Sequence, residues 1–125
     1  MSIGIVELHH VNIRVPKAVE EATKHFYTKI VGLEEIEKPG ESKKRGGAWF
    51  LCGAVQLHLS LSDGEANEAS NRHICYRVGD LAQAENRFRN AAVEIIADDQ
   101  PVAGWPRFYV RDPGGNLLEI AQQAL

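Results

Sequence analysis

Histidine occurs five times in these 125 residues, and two of the five open the same phrase. His10-Val11-Asn12-Ile13-Arg14-Val15 returns sixty-three positions later as His73-Ile74-Cys75-Tyr76-Arg77-Val78. If each phrase is a strand, imidazole, variable residue and guanidinium share one face and the apolar residues take the other. Such a strand packs helices on its apolar side and lines a polar cavity with the opposite one. A second pair is set by place and pattern. Leu57-His58-Leu59 and Leu118-Glu119-Ile120 each flank one polar residue with apolar ones, so His58 and Glu119 fall opposite their leucines. Under the repeat, each half presents one potential ligand from its first strand and one from its last. Three neutral imidazoles and one carboxylate suit Zn, Ni, Fe(II), Co or Mn better than Mg or Ca, which prefer all-oxygen shells.

The elements that must position these four side chains can be read along the chain. Pro16 is placed to start a helix whose apolar stripe is Val19, Ala22, Phe26, Tyr27 and Ile30, ending at Gly32. Leu33 to Glu37 reads as a short strand. Pro39 to Gly47 reads as a mobile loop in which Lys43-Lys44-Arg45 is a solvated tip. Ala48 to Cys52 and Val55 to Leu61 form a hairpin turning near Gly53. Ser62 to Asn71 lacks apolar periodicity and reads as a linker between halves. The second half repeats the first. After the strand at His73, Asp80 caps a helix with Gln83 at the capping-box position, and Leu81, Ala84, Phe88, Ala91 and Ala92 form its stripe. Val93 to Ile96 is a short strand. A loop with Pro101, Gly104, Trp105 and Pro106 leads to strand Arg107 to Arg111, the turn Asp112 to Asn116, and a last strand from Leu117 to Ala121. Each half is strand, helix and three strands, so the chain is expected to be one domain, 1–125, of two modules at about 5–62 and 70–123.

Composition narrows the partners. A net charge of −3 gives no electrostatic case for nucleic acid or an anionic membrane, which leaves small molecules or proteins. Cys52 and Cys75 have no repeated spacing, and the first residues lack the apolar run of a signal peptide or membrane span. These features predict a cytoplasmic protein with reduced thiols.

Taken in order, five pieces carry a resemblance: Leu8-His9-His10-Val11-Asn12-Ile13-Arg14-Val15, the helix end Phe26 to Leu33, Gln56-Leu57-His58-Leu59, Arg72-His73-Ile74, and Phe108 to Glu119 with its Asp112-Pro113-Gly114-Gly115-Asn116 turn. The sequence resembles the vicinal oxygen chelate superfamily, which includes glyoxalase I, bleomycin-resistance proteins and extradiol dioxygenases. The resemblance implies an α+β fold of two βαβββ modules in tandem, their mixed sheets curled into a cup. It also implies one divalent transition metal held by His10, His58, His73 and Glu119, with two adjacent positions open to vicinal substrate oxygens. The filled position at His58 is similar to that of lyase and isomerase members, which work through a metal-stabilised enediolate, with Glu119 as a candidate catalytic base. A ring-cleaving dioxygenase and a metal-free drug-binding resistance protein are the alternatives. After His58, the run Ser60 to Gly64 departs from the usual glyoxalase I sequence, which leaves the substrate open.

Parity puts Arg14, Arg77, Arg107, Tyr109 and Arg111 on the cup-facing side as candidate substrate contacts, and Trp105 is a candidate lid. Cys75 shares the parity of His73 and is expected as a small buried thiol. His9 is expected to point away from His10, and His25 lies on the polar side of its helix. A homodimer is expected, in which module exchange could bring His10 and His58 of one chain to His73 and Glu119 of another.

Overall fold

The computed structural model describes residues 1–64 and 69–122. Residues 65–68 of the expected linker and position 123 of the second expected module lie outside the described residues. The chain divides into two compact units, Met1–Glu65 and Ala66–Leu125.

In the first unit, strand β1 (His10–Pro16) pairs in parallel with β4 (Val55–Ser62), and β4 pairs antiparallel with β3 (Ala48–Cys52). β3 in turn pairs antiparallel with β2 (Glu34–Ile36), giving a mixed sheet in the order β1-β4-β3-β2. The alternation that selects these strands also makes the core. Val15, Ala48, Phe50, Leu57 and Leu59 are each almost wholly buried.

Between β1 and β2 the chain makes a 3-10 turn (Lys17–Val19), an α-helix, α1 (Glu20–His25), and a π-helical stretch (Phe26–Val31). Phe26 and Tyr27 are buried as expected, with the Tyr27 ring 5.8 Å from that of Phe50. Ala22 is exposed, and Thr23 takes the buried position instead. The cause is the change of winding: a tighter turn before and a wider one after shift the stripe away from a uniform 3.6 period. The Thr23 hydroxyl tolerates burial because it donates to the Val19 carbonyl at 2.7 Å.

The expected mobile loop is instead a 3-10 helix, Gly40–Arg45. It is tied down just beyond its end. The Gly47 amide donates to Glu20 Oε2 at 2.8 Å, and a Cβ built on Gly47 would stand 2.1 Å from the Leu59 carbonyl oxygen. With φ at +78° as well, only glycine fits there.

The second unit repeats the plan. β5 (His73–Arg77) pairs in parallel with β8 (Leu117–Ala121), β8 antiparallel with β7 (Arg107–Arg111), and β7 with the two-residue β6 (Ile96–Ala97), in the order β5-β8-β7-β6. Helix α2 (Leu81–Asn90) is capped by Asp80, whose carboxylate accepts from the Gln83 amide at 3.0 Å. Phe88 is its buried anchor and meets Phe108 edge-on, while Ala91 and Ala92 lie beyond the helix end and are exposed. Asp112 organises the turn between β7 and β8. Its Oδ1 accepts from the Gly114 and Asn116 amides at 2.9 Å each, and Asn116 Nδ2 donates to its Oδ2 at 3.0 Å. Two four-stranded mixed sheets of this topology are the tandem βαβββ arrangement of the glyoxalase-like fold.

Candidate metal centre

The two units share a register as well as a topology. In the first, Asn12, two residues past His10, lies opposite His58; in the second, Cys75, two residues past His73, lies opposite Glu119. His58 and Glu119 are therefore equivalent positions, and each unit sets one histidine of its first strand beside one polar residue of its last.

In the first unit the pair is aromatic. The rings of His10 and His58 stack at 4.1 Å, and Trp49, across from His58 on β3, stacks on the other side of His58 at 4.1 Å with its plane 1° away. His58 is 8% exposed and His10 is open. Burial, then the neighbouring His10, His9 and Lys38, hold the His58 pKa below the usual histidine value, so its imidazole stays neutral as metal ligation requires. His58 Nε2 lies 2.8 Å from Gln56 Oε1; an amide oxygen only accepts, so Nε2 carries the proton and Nδ1 the lone pair. His9 does not point away. It precedes β1, strand alternation does not govern it, and its Nδ1 lies 2.8 Å from His10 Nδ1.

In the second unit the pair is ionic. His73 Nδ1 donates to the Asn71 carbonyl at 2.9 Å, which turns Nε2 toward Glu119 Oε1 at 3.1 Å. A proton or a metal ion can bridge two atoms at that distance. Glu119 is 3% exposed, and its other oxygen is fully engaged. Oε2 accepts from Trp105 Nε1 at 2.8 Å and Cys75 Sγ at 3.3 Å, and Arg107 Nη1 is 3.5 Å away. Tyr109 OH donates to Oε1 at 3.5 Å. Burial alone would raise the Glu119 pKa, but donation from Trp105 and Cys75 and the charges of Arg107 and His73 hold it below the ordinary glutamate value. The carboxylate is therefore anionic, with one oxygen committed and the other facing the His73 imidazole.

Three candidate substrate contacts, Arg107, Tyr109 and Trp105, thus converge on Glu119. Cys75 is exposed rather than buried, and partial desolvation together with its bond to Glu119 pushes its thiol up to about 11. Arg14 donates to the Leu61 carbonyl at 3.5 Å. Arg77 is exposed at the far end of β5, opposite Ala121. Arg111 grips its own turn through the Gly115 carbonyl at 2.8 Å and the Ser70 carbonyl at 3.0 Å. Two participants escaped the sequence reading. Gln56 carries the signal, since it shares the strand face of His58. Asp98, which fixes Arg107 Nε at 2.9 Å, sits in irregular chain where no period could find it.

Among the described residues, no group of three or more His, Cys, Asp or Glu side chains is placed to hold a metal ion. Each unit supplies a pair. The donor set fits a divalent transition metal: imidazoles, an anionic carboxylate, and outer partners that orient His58, His73 and Glu119.

A fold of paired βαβββ units, each presenting such a pair, defines a class, and residues 7–120 match the model of the Glyoxalase/Bleomycin resistance protein/Dioxygenase superfamily. The chain belongs to that superfamily. A solved glyoxalase family protein from Bacillus anthracis is 34% identical over 99% of this chain and 100% of its own, with a TM-score of 0.88. More distant in sequence but similar in fold is a variant of the fosfomycin resistance protein FosX from Listeria monocytogenes, complexed with Mn(II) and 1S,2S-dihydroxypropylphosphonic acid. It is 19% identical, with coverage of 97% and 95% and a TM-score of 0.80. Lactoylglutathione lyase from Agrobacterium tumefaciens is 20% identical, with 95% of each chain covered and a TM-score of 0.66. No curated protein matches in sequence.

Proposed function

We propose that this protein is a divalent-metal-dependent enzyme of the lyase or isomerase kind, acting on a small compound through two vicinal oxygens, with His10, His58, His73 and Glu119 as the metal-holding set. The observation that carries the reading is His73 Nε2 facing Glu119 Oε1, 3.1 Å away, with the ring oriented by the Asn71 carbonyl. The FosX complex supports it, since that protein binds Mn(II) together with a vicinal diol. A bound divalent ion would act as a Lewis acid and stabilise negative charge developing on the two substrate oxygens.

The chain's own residues do the rest. Trp105, Cys75 and Arg107 occupy Glu119 Oε2 and leave Oε1 to face His73; the Asn71 carbonyl orients the His73 ring, and Gln56 fixes the tautomer of His58. This setting favours Glu119 as a ligand over Glu119 as a base, because a carboxylate pulled below its ordinary pKa takes up protons reluctantly. Since each unit holds only two of the four, we further propose a homodimer in which pairs from two chains can complete a centre.

The test is metal analysis of protein purified without added metal or affinity nickel, followed by titration with Mn(II), Ni(II) and Zn(II). Stoichiometric binding is expected, with His73→Ala and Glu119→Gln each losing at least about a hundredfold in affinity if ligands are removed outright. Failure of the unaltered protein to bind any of the three overturns the reading. Oxygen consumption with a catechol panel would reassign the chemistry to ring cleavage.

A further inference from the structure

The first unit contains a cleft of about 260 Å³ between the 3-10 helix Gly40–Arg45 and strand β4. His58, backed by Trp49, lines it together with Lys38 and Arg45, and Ser42, Asn12 and Ser60 add polar groups. No carboxylate lines it. The basic triplet that reads in sequence as one solvated tip is divided by the fold. Lys43 pairs with Glu37 and Lys44 with Glu41, while Arg45 turns to the cleft with no ion-pair partner among the described residues. Lys38 donates to the Gly46 carbonyl, which holds its ammonium at the cleft wall. Two cations converge on one cavity: burial first, and then Arg45, disfavours the charged form of Lys38, and Glu20 beyond the lining offsets this only in part.

We propose that this cleft binds an anionic group of the substrate, a carboxylate, phosphonate or phosphate, with Arg45 and Lys38 as the charge partners and Ser42 and Ser60 as hydrogen-bond donors. Arg45 offers the planar fork that matches an oxyanion, and Lys38 a point charge. The cleft opens beside His58, so the anionic group would lie within one small molecule's length of the metal-holding imidazoles. The substrate class becomes a hydroxy or oxo compound that carries an acid group. This rests on the metal-centre reading only for that adjacency; the cleft itself is built without the metal.

The experiment is an NMR titration of ¹⁵N-labelled full chain with inorganic phosphate and, separately, acetate, as purified and after chelator treatment. Saturable shifts are expected at the Trp49 indole and the Gly46 amide, in both metal states, with the Trp105 indole unmoved. Arg45→Gln and Lys38→Gln should each weaken binding at least tenfold, while Lys44→Gln leaves it unchanged. Phosphate tighter than acetate would assign a tetrahedral oxyanion, the reverse a carboxylate, and either supports the cleft. Shifts that follow Lys43 and Lys44, or an Arg45→Gln titration indistinguishable from that of the unaltered chain, overturn it. Because the chelated sample is measured too, the cleft can fail while metal binding stands, and the reverse.

Discussion

Side chains of five residues converge on Glu119, and their division between its two oxygens governs what each oxygen can do. Trp105 makes the shortest of these contacts, 2.8 Å to Oε2, from a loop where strand parity gives no guidance; its sequence setting suggested a lid, and the fold makes it a clamp. Trp105→Phe removes one of the influences that hold the Glu119 pKa down. Metal uptake should then shift its midpoint to higher pH, and affinity should fall roughly 10- to 100-fold, as for other outer partners of metal ligands. Metal titrations between pH 5 and 8, at about half-unit steps, would show it. The same depression has a stability sign. A carboxylate whose folded pKa lies below its unfolded value stabilises the fold above the ordinary value of 4.5, and that contribution is lost as pH falls through the folded pKa. Acid unfolding followed by circular dichroism should therefore lose part of its pH dependence below 4.5 in Glu119→Gln, with lower stability at neutral pH.

Among the elements, strands were the more legible. β3, β7 and β8 fall where alternation and the flanking turns place them, because a period of two over five residues leaves little freedom. The first helix was less so, since its register depends on a 3-10 start and a π-helical end that no apolar pattern encodes. Helix α2 closes on Ala92, the only non-glycine residue among those described with positive φ, at 60°, and the Val93 amide returns to the Phe88 carbonyl at 2.9 Å. That closure normally belongs to glycine. Ala92→Gly should accordingly raise stability, by up to about 1 kcal/mol in urea denaturation. The Asp112 turn should respond in the opposite way. Asp112→Ala strands two amide donors and one side-chain amide in a buried site, and a loss of roughly 2 to 4 kcal/mol is expected by the same measurement.

At the scale of the molecule, duplication was the legible fact: the repeated phrase puts His10 and His73 on equivalent strands, and the matching place and pattern of the last strands does so for His58 and Glu119. The cleft was not legible, since its cations come from Lys38 and Arg45, which carry no counterpart in the second half and acquire a common target only through folding. Ahead of β1, Ile3, Ile5, Val6 and Leu8 are 61–94% exposed, an apolar arm that a second copy could cover. If the proposed homodimer uses it, removal of residues 1–6 should shift the mass measured by light scattering from two chains toward one; an unchanged mass would assign the contact elsewhere. Gly47 bears on the cleft in another way. Its backbone rests against the Leu59 carbonyl with no room for a single added carbon, so the spacing there is as narrow as covalent chain allows. Selection for roomier or bulkier ligands would thus find no foothold at position 47, and would have to act by trimming Ser42 or Arg45 on the facing wall.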